Sequence, residues 1–192
     1  MAKKSNTKSK IVSAAWKLFY EQGYDYTTID EIIKESGTSR GSFYHYFDGK
    51  DALVGSLAYL FDEKYEELIP EIDIEGNSIE LLLFLNSKLF EMIENTVDLE
   101  LIKRLYATQL LAKGEKQLLD HDRVYYRLLR KIIIAGQRNG FITTANSVNE
   151  IVKYYAFCER AIIYDWCLVS GEYSLTKIGN EQMNFFLSKL KA

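Results

Sequence analysis

The beginning of the chain carries one apolar stripe at helical spacing. The stripe repeats at i, i+3, i+4, i+7 and i+8 and consists of Ile11, Ala14, Ala15, Leu18 and Phe19. Residues at this spacing lie on one side of an α-helix and face a core together. The pattern therefore predicts a first helix from about Ser9 to Gln22, which ends at Gly23.

A second, shorter helix is indicated by a capping signal. Thr28 and Glu31 have the spacing of a capping box, in which each side chain bonds the other residue's backbone amide. The three isoleucines that follow Thr28 share one face of the predicted helix. We expect this helix to end near Glu35.

The segment 36–47 predicts a turn followed by a third helix. Gly37 suits the left-handed end of the preceding helix. Thr38 is expected to cap the helix that follows, because its hydroxyl can accept a hydrogen bond from an unpaired amide. Asp48 is placed to begin a fourth helix, with Lys50 in its first turn.

The third helix has two different faces. At about 100° per residue, Phe43 and Phe47 fall on one apolar side. Gly41, Tyr44 and His45 fall on the opposite, polar side. A helix divided in this way buries its phenylalanines and lays its other face in a major groove of DNA.

The residues on and around this polar face are the candidate DNA contacts. Arg40 has the reach and the paired donors to read a guanine edge. Thr28 and Lys50, each at the start of a helix, are expected to hold phosphates. The complete set of expected DNA contacts is Thr28, Thr38, Ser39, Arg40, Gly41, Ser42, Tyr44, His45, Tyr46 and Lys50.

The rest of the chain also reads as helices, without strand alternation or repeats. The predicted bounds are about 50–68, 78–95, 99–112, 115–139, 147–170 and from 174 onward, with Gly114 separating two of these helices. The sequence therefore predicts an all-α protein of about nine helices. We expect a three-helix helix-turn-helix domain at 1–49 and a larger helical effector-binding and dimerisation domain at 50–192.

About the first 55 residues resemble the tetracycline-repressor (TetR) family of bacterial regulators. The resemblance rests on AAWKLF at 14–19, TTIDEI at 27–32, GTSRGSFYHYF at 37–47 and KDAL at 50–53. One departure is the run Tyr44-His45-Tyr46-Phe47, since many relatives carry His directly before the Phe. This departure leaves open which of His45 and Tyr46 touches the DNA backbone.

Composition and charge agree with a protein that touches DNA at one end. The chain has 192 residues, 47% of them hydrophobic, and a formal net charge of -3. Residues 1–50 hold eight Lys and Arg against six Asp and Glu, whereas the remainder holds sixteen against twenty-one. A locally basic end on an acidic body suits contact with DNA through that end. The alternative is that the N-terminal lysines form a solubilising tail.

Other classes of protein find little support in the composition. No apolar run reaches the roughly 18 residues of a membrane span, and no signal-peptide core follows the basic N-terminus. We therefore expect a bacterial cytosolic protein, bound to the nucleoid when on DNA and without membrane association. With two histidines and two cysteines, no catalytic constellation, metal site or cofactor site is predicted.

The last two predicted helices are apolar on more than one side. A helix that is apolar nearly all round needs cover on two sides. The TetR resemblance implies that these helices pair with their mates in a two-fold four-helix interface; the alternative is a wholly intramolecular central helix. The expected interface residues are Phe157, Ile162, Trp166, Phe185 and Phe186.

Tyrosines in the body suggest a site for an unknown small-molecule effector. Their rings offer apolar walls and their hydroxyls offer a polar handle. The resemblance implies that helices four to seven wall such a site, and Tyr65, Tyr106 and Tyr125 are the candidate ligand contacts. Plain core packing is the alternative for each of them.

Together these features predict a ligand-responsive transcriptional regulator that is not an enzyme. We expect a homodimeric repressor that binds a palindromic double-stranded DNA operator and is released by a small, mostly apolar effector. The alternative is a helix-turn-helix protein that organises or blocks DNA without any effector.

Overall fold

The computed structural model describes the backbone of residues 2–113 and 116–192 and, in these ranges, the side chains from Thr7 onward. Every regular element in this part of the chain is helical, which confirms the predicted all-α class. One isolated β-bridge joins Ile142 to Lys191. Among the described residues, no helix combines the length and apolar content needed to cross a membrane.

Ten α-helices are described in this part of the chain. They are α1 (Ala2–Gln22), α2 (Ile29–Ser36), α3 (Arg40–Tyr46), α4 (Lys50–Val54), α5 (Leu57–Leu68), α6 (Ser78–Thr96), α7 (Leu99–Leu111), α8 (Val124–Arg138), α9 (Val148–Leu168) and α10 (Leu175–Ser188). Two short 3-10 turns, Ile69–Glu71 and Gln117–Leu119, accompany them.

The single helix predicted over 50–68 is interrupted at Gly55 and Ser56, between α4 and α5. The Ser56 hydroxyl donates to the Leu53 carbonyl and accepts from Trp16 Nε1 at 2.8 Å. A serine bonded to the backbone beside a glycine weakens a helix at that point. The interruption therefore has a local cause, although its bond to Trp16 is tertiary.

The starts of two other helices differ from the sequence prediction. Helix α1 begins at Ala2 rather than near Ser9, because helix-compatible polar residues extend it without any apolar stripe. Helix α8 begins at Val124, whereas its predicted start at Glu115 and the separating Gly114 lie outside the described residues.

The cap of α3 is also shifted by one residue. Ser39, not Thr38, has the extended backbone of a cap and accepts from the Ser42 amide at 3.0 Å. Thr38 instead shares a hydrogen bond of 2.8 Å with the Ser36 hydroxyl. Both residues are hydroxyl-bearing, so composition alone did not distinguish the two positions.

The chain forms two compact units. One unit takes in residues 1–58 and 100–118, and the other takes in 59–99 and 119–192. This grouping differs from the predicted boundary after residue 49, because Lys50, Ser56 and Arg104 all bond to residues of the first three helices or their turns.

In the first unit, α1 packs on α2 and α3, and α2 packs on α3. Their meeting faces form a core whose members are almost inaccessible to solvent: Ile11, Ala15, Phe19, Ile32, Phe43 and Leu53. Edge-to-face packing of Trp16 on Phe19, with ring centroids 5.5 Å apart, adds to this core.

In the second unit, α10 packs on α6 and α9, and α8 packs on the same two helices. Gly179 of α10 allows a close approach, because a Cβ there would lie 2.7 Å from Cδ2 of Phe90 and 3.2 Å from Ile162. The absence of a side chain at Gly179 is therefore required for the packing of α10 on α6.

We expect Gly179→Ala to lower the free energy of unfolding by about 1–3 kcal/mol, because the added methyl overlaps Phe90. Urea denaturation measures the change. Gly41→Ala is the matched control, since a Cβ at Gly41 meets only Ser39 Oγ at 4.0 Å. The control is expected to be neutral or stabilising by up to about 1 kcal/mol. Equal stability of the two variants would contradict the close packing.

Candidate DNA-binding surface and interior polar site

Helices α2 and α3 are joined by a tight, hydrogen-bonded turn. The predicted capping box is confirmed: the Thr28 hydroxyl accepts from the Glu31 amide at 3.3 Å, and Glu31 Oε2 accepts from the Thr28 amide at 2.7 Å. Gly37 ends α2 in the left-handed region with φ 61°, where a side chain would be strained. The capping box begins α2, whereas Gly37 and the bond from the Thr38 amide to the Ile33 carbonyl set the direction in which the chain leaves α2 toward α3.

Helix α3 has the two faces that the sequence predicts. Phe43 and Phe47 are buried, with their rings 5.9 Å apart. Tyr44 is 45% exposed, and Arg40, Gly41 and His45 are also exposed. The face opposite the phenylalanines is therefore available to a partner, and its contact with DNA stays a prediction.

Arg40 is ion-paired to Asp30 at the surface of the first unit. Both side chains are exposed, and an exposed ion pair contributes only about 0–1 kcal/mol. Arg40 can therefore exchange Asp30 for a nucleic-acid acceptor at small cost. The sequence analysis identified Arg40 but missed its acidic partner.

Lys50 holds the turn that precedes α2. Its ammonium donates to the carbonyls of Tyr24 at 2.6 Å, Thr27 at 2.8 Å and, more weakly, Asp25 at 3.5 Å. It also lies 4.2 Å from the centroid of the Tyr24 ring, and burial lowers the pKa of Lys50. The predicted phosphate contact is not tested by this geometry, but all three donors of the ammonium are already engaged in the protein.

Tyr24 is the second residue whose side chain stabilises this turn. Its hydroxyl donates to Asp51, and desolvation raises its pKa well above the ordinary range. Arg104 of α7 lies over the Tyr24 ring, 4.3 Å from the centroid, and pairs with Asp25 at 2.5 Å. Arg104 therefore takes part in an ion pair of the first unit.

Two of the three candidate ligand tyrosines lie together inside the second unit. The rings of Tyr65 and Tyr125 are 5.4 Å apart, and Tyr126 packs on Tyr125 at 4.9 Å. Tyr106 belongs to the first unit and is partly exposed. Tyr65 and Tyr125 therefore lie in one interior. Both plain core packing and a ligand site are compatible with this placement.

The same interior contains a carboxyl that the sequence analysis did not single out. Glu159 of α9 is buried and accepts from Asn86 Nδ2 at 3.0 Å. Desolvation raises the pKa of Glu159 to about 7, against smaller opposite effects of Asn86, Tyr125 and nearby arginines. The only sequence signal was that Glu159 is one of three charged residues in the otherwise apolar segment 154–168.

A buried ion pair borders this interior. Arg123 donates through Nε and Nη2 to the two oxygens of Asp62, each at 3.0 Å. The Tyr125 amide also donates to Asp62 Oδ1 at 3.2 Å. This pair therefore fixes the first turn of α8 against α5, and neither charge is left uncompensated.

The expected dimer residues fall into two groups. Ile162 and Trp166 are buried within the second unit, and Trp166 Nε1 donates to the Tyr173 carbonyl at 2.9 Å. These two residues are corrected to core positions, because they have little surface left to bury against another chain. Phe157 and Phe185, by contrast, are 64% and 70% exposed, and Phe186 is partly exposed.

A capped turn followed by a helix with an exposed polar face defines a helix-turn-helix, the module that reads DNA through the major groove. Residues 11–57 match the family model for bacterial regulatory proteins of the tetR family. The HTH-type transcriptional regulator HbdR of Aromatoleum sp. (strain CIB) is 28% identical over 162 residues, which are 83% of this chain and 70% of that protein. Residues 11–57 are therefore a tetR-family helix-turn-helix, and the chain is similar to DNA-binding transcription regulators of that family, which are not enzymes.

Solved structures share the fold along nearly the whole chain. FadR from Bacillus subtilis, in complex with stearoyl-CoA, has a TM-score of 0.66 at 21% identity and covers 95% of this chain and 99% of its own. FadR from Thermus thermophilus, in complex with lauroyl-CoA, has a TM-score of 0.71 at 20% identity and covers 94% and 93%. At these identities the likeness establishes the fold.

We expect Lys50→Met to lower the free energy of unfolding by about 1–3 kcal/mol, because the carbonyls of the 24–27 turn lose their common donor. Urea denaturation gives the value, with the exposed Lys10→Met as control. A Lys50→Met protein as stable as the control would show that the ammonium does not hold this turn.

Glu159 makes stability depend on pH. Its folded pKa of about 7 lies above its ordinary value of 4.5, so between these values the folded protein keeps a proton that the unfolded chain releases. Stability should fall as pH rises through this range, by on the order of 3 kcal/mol from this group. Glu159→Gln should remove that part of the dependence, whereas the exposed Glu181→Gln should keep it. Parallel pH profiles of Glu159→Gln and wild type would contradict the assignment.

Proposed function

We propose that the protein is a homodimeric repressor that binds a palindromic operator and is released by a small, mostly apolar effector. The exposed polar face of α3, with Arg40 in its first turn, carries this proposal. One helix reads few base pairs, so two heads placed about 34–36 Å apart would read two half-sites. Two-fold symmetry of the protein then matches the symmetry of the DNA.

In this proposal Arg40 leaves Asp30 and reads a base edge. Ser39, Ser42, Tyr44 and His45 divide the remaining base and phosphate contacts among them, while Thr28 presents the amide end of α2 to a phosphate. Lys50 contributes mainly by shaping the turn before Thr28, since its donors are engaged there.

The dimer is supported by exposed apolar side chains on the last two helices. They are Tyr154, Phe157, Tyr164, Leu168 and Phe185. Large apolar side chains that are exposed together on two neighbouring helices indicate a surface that is covered by another molecule. We propose that this face, with Phe186 at its edge, pairs with the same face of a second copy.

The effector is proposed to bind in the second unit beside Tyr65 and Tyr125. The two FadR structures hold acyl-CoA molecules with long apolar chains, which supports an effector with a long apolar part. Effector and operator affinities are then coupled reciprocally, by about 1–3 kcal/mol. Occupation of the body by effector lowers the affinity for DNA.

Arg40→Ala tests the reading role. With an operator selected from random DNA, gel-shift titration should show a loss of about 1–3 kcal/mol in preference for that operator over random sequence. Arg138→Ala is the matched control, because Arg138 forms a similar exposed ion pair with Glu75 away from α3. The control should keep full discrimination.

Two outcomes would contradict the proposal. Unchanged discrimination by Arg40→Ala would remove Arg40 from the reading surface. A wild-type protein that remains monomeric by light scattering, with and without DNA, would remove the two-fold arrangement.

A further inference from the structure

The interior of the second unit contains four polar side chains on four helices that contact or influence one another. Tyr65, Asn86, Tyr125 and Glu159 are 3%, 0%, 6% and 4% exposed. Asn86 bonds Glu159 directly, and the Tyr65 and Tyr125 rings are in contact. Burial raises the pKa of both tyrosines, and the charge of Glu159 adds to this rise. We call these four residues the interior polar cluster.

Three atoms of the interior polar cluster are unsatisfied. Tyr65 Oη, Tyr125 Oη and Asn86 Oδ1 have no hydrogen-bond partner among the described residues, although the Tyr125 hydroxyl is near enough to Glu159 to help lower the pKa of that carboxyl. An unpaired buried polar group costs about 1–3 kcal/mol, and folded proteins contain few of them. Three such groups around one carboxyl are therefore better explained by a ligand than by packing.

The neighbouring polar groups are already paired inside the protein. Arg123 is held by Asp62, and Arg160 donates to the Tyr126 hydroxyl at 3.1 Å. The Tyr155 hydroxyl donates to the Leu82 carbonyl at 2.9 Å. These three neighbouring groups therefore differ from the interior polar cluster, whereas Ser78 Oγ, Thr176 Oγ1 and Asn180 Oδ1 are further unsatisfied atoms of the second unit.

The unsatisfied atoms differ in what they require. The Tyr65 and Tyr125 hydroxyls each need an acceptor, whereas Asn86 Oδ1 needs a donor. A carboxylate or phosphate offers no donor and is repelled by Glu159 when that group is ionised. An ammonium offers no acceptor. A hydroxyl offers both a donor and an acceptor without charge.

We propose that the interior polar cluster binds the uncharged hydroxyl of a long-chain apolar effector, with the tyrosine rings contacting its chain. This inference rests on the proposed function, because it specifies the effector of the same body. The Tyr65 and Tyr125 rings are in contact in this structure, so the ligand enters by separating them, in the manner of a site formed by a minor conformation.

Isothermal titration of the full chain without DNA tests the head-group preference. The probes are 1-decanol, decanoate and decylammonium, which share one chain length, together with lauroyl-CoA. We expect saturable binding of 1-decanol and at least about tenfold weaker binding of both charged decyl compounds, the equivalent of one or two lost hydrogen bonds.

Hydroxyl deletions test the residues. Tyr65→Phe and Tyr125→Phe should each weaken 1-decanol binding by about fivefold to tenfold. Because they remove an unsatisfied group, they should leave the melting temperature unchanged or raise it. Tyr155→Phe is the matched control: it breaks a formed bond, so it should lower the melting temperature and leave 1-decanol affinity unchanged.

Tightest binding of decanoate, decylammonium or lauroyl-CoA would overturn the proposed hydroxyl preference. Absence of saturable binding by every probe would also overturn the proposal. It would indicate that bound water satisfies the polar groups of the interior polar cluster instead. Operator binding and dimerisation are measured without any probe. Failure of either would therefore count against the proposed function, whereas the titrations decide only the effector class.

Discussion

Burial of Phe43 and Phe47 against α1 and α2 decides which residues of α3 face outward. Phe43 is fully enclosed, as are Ile32 of α2 and Leu53 of α4. Since α3 has only seven residues, rotation about its axis would expose these rings. Arg40 and Tyr44 are presented to a partner because the opposite side of the same helix belongs to a hydrophobic core.

The turn before α2 depends on a different kind of interaction. Here the Lys50 ammonium donates to backbone carbonyls of the turn. Lys50 and Arg104 also lie over the Tyr24 ring in cation–π contacts. These contacts come from positions 26 and 80 residues away from Tyr24 in the sequence. They explain why the compact first unit includes part of α7 as well as the helix-turn-helix.

The second unit combines an ordinary helical core with an interior that is more polar than its packing requires. Asp62 and Arg123 compensate each other completely, whereas the hydroxyls of Tyr65 and Tyr125 have no hydrogen-bond partner among the described residues. The same interior therefore contains polar groups that stabilise the fold and polar groups that are available to a ligand. Burial of the Glu159 carboxyl also makes the free energy of unfolding sensitive to pH near neutrality.

Local signals identified the helix-turn-helix, since the capping box, Gly37 and the spacing of the phenylalanines act within a few residues of one another. Local signals of the same kinds, within residues 50–192, predicted an all-α body and most of its helices. Long-range packing decided the rest: that Trp166 faces the core while Phe157 stays exposed, and that Glu159 bonds Asn86. Apolar periodicity shows that a residue lies on a face, but only the positions of the neighbouring helices show what that face meets.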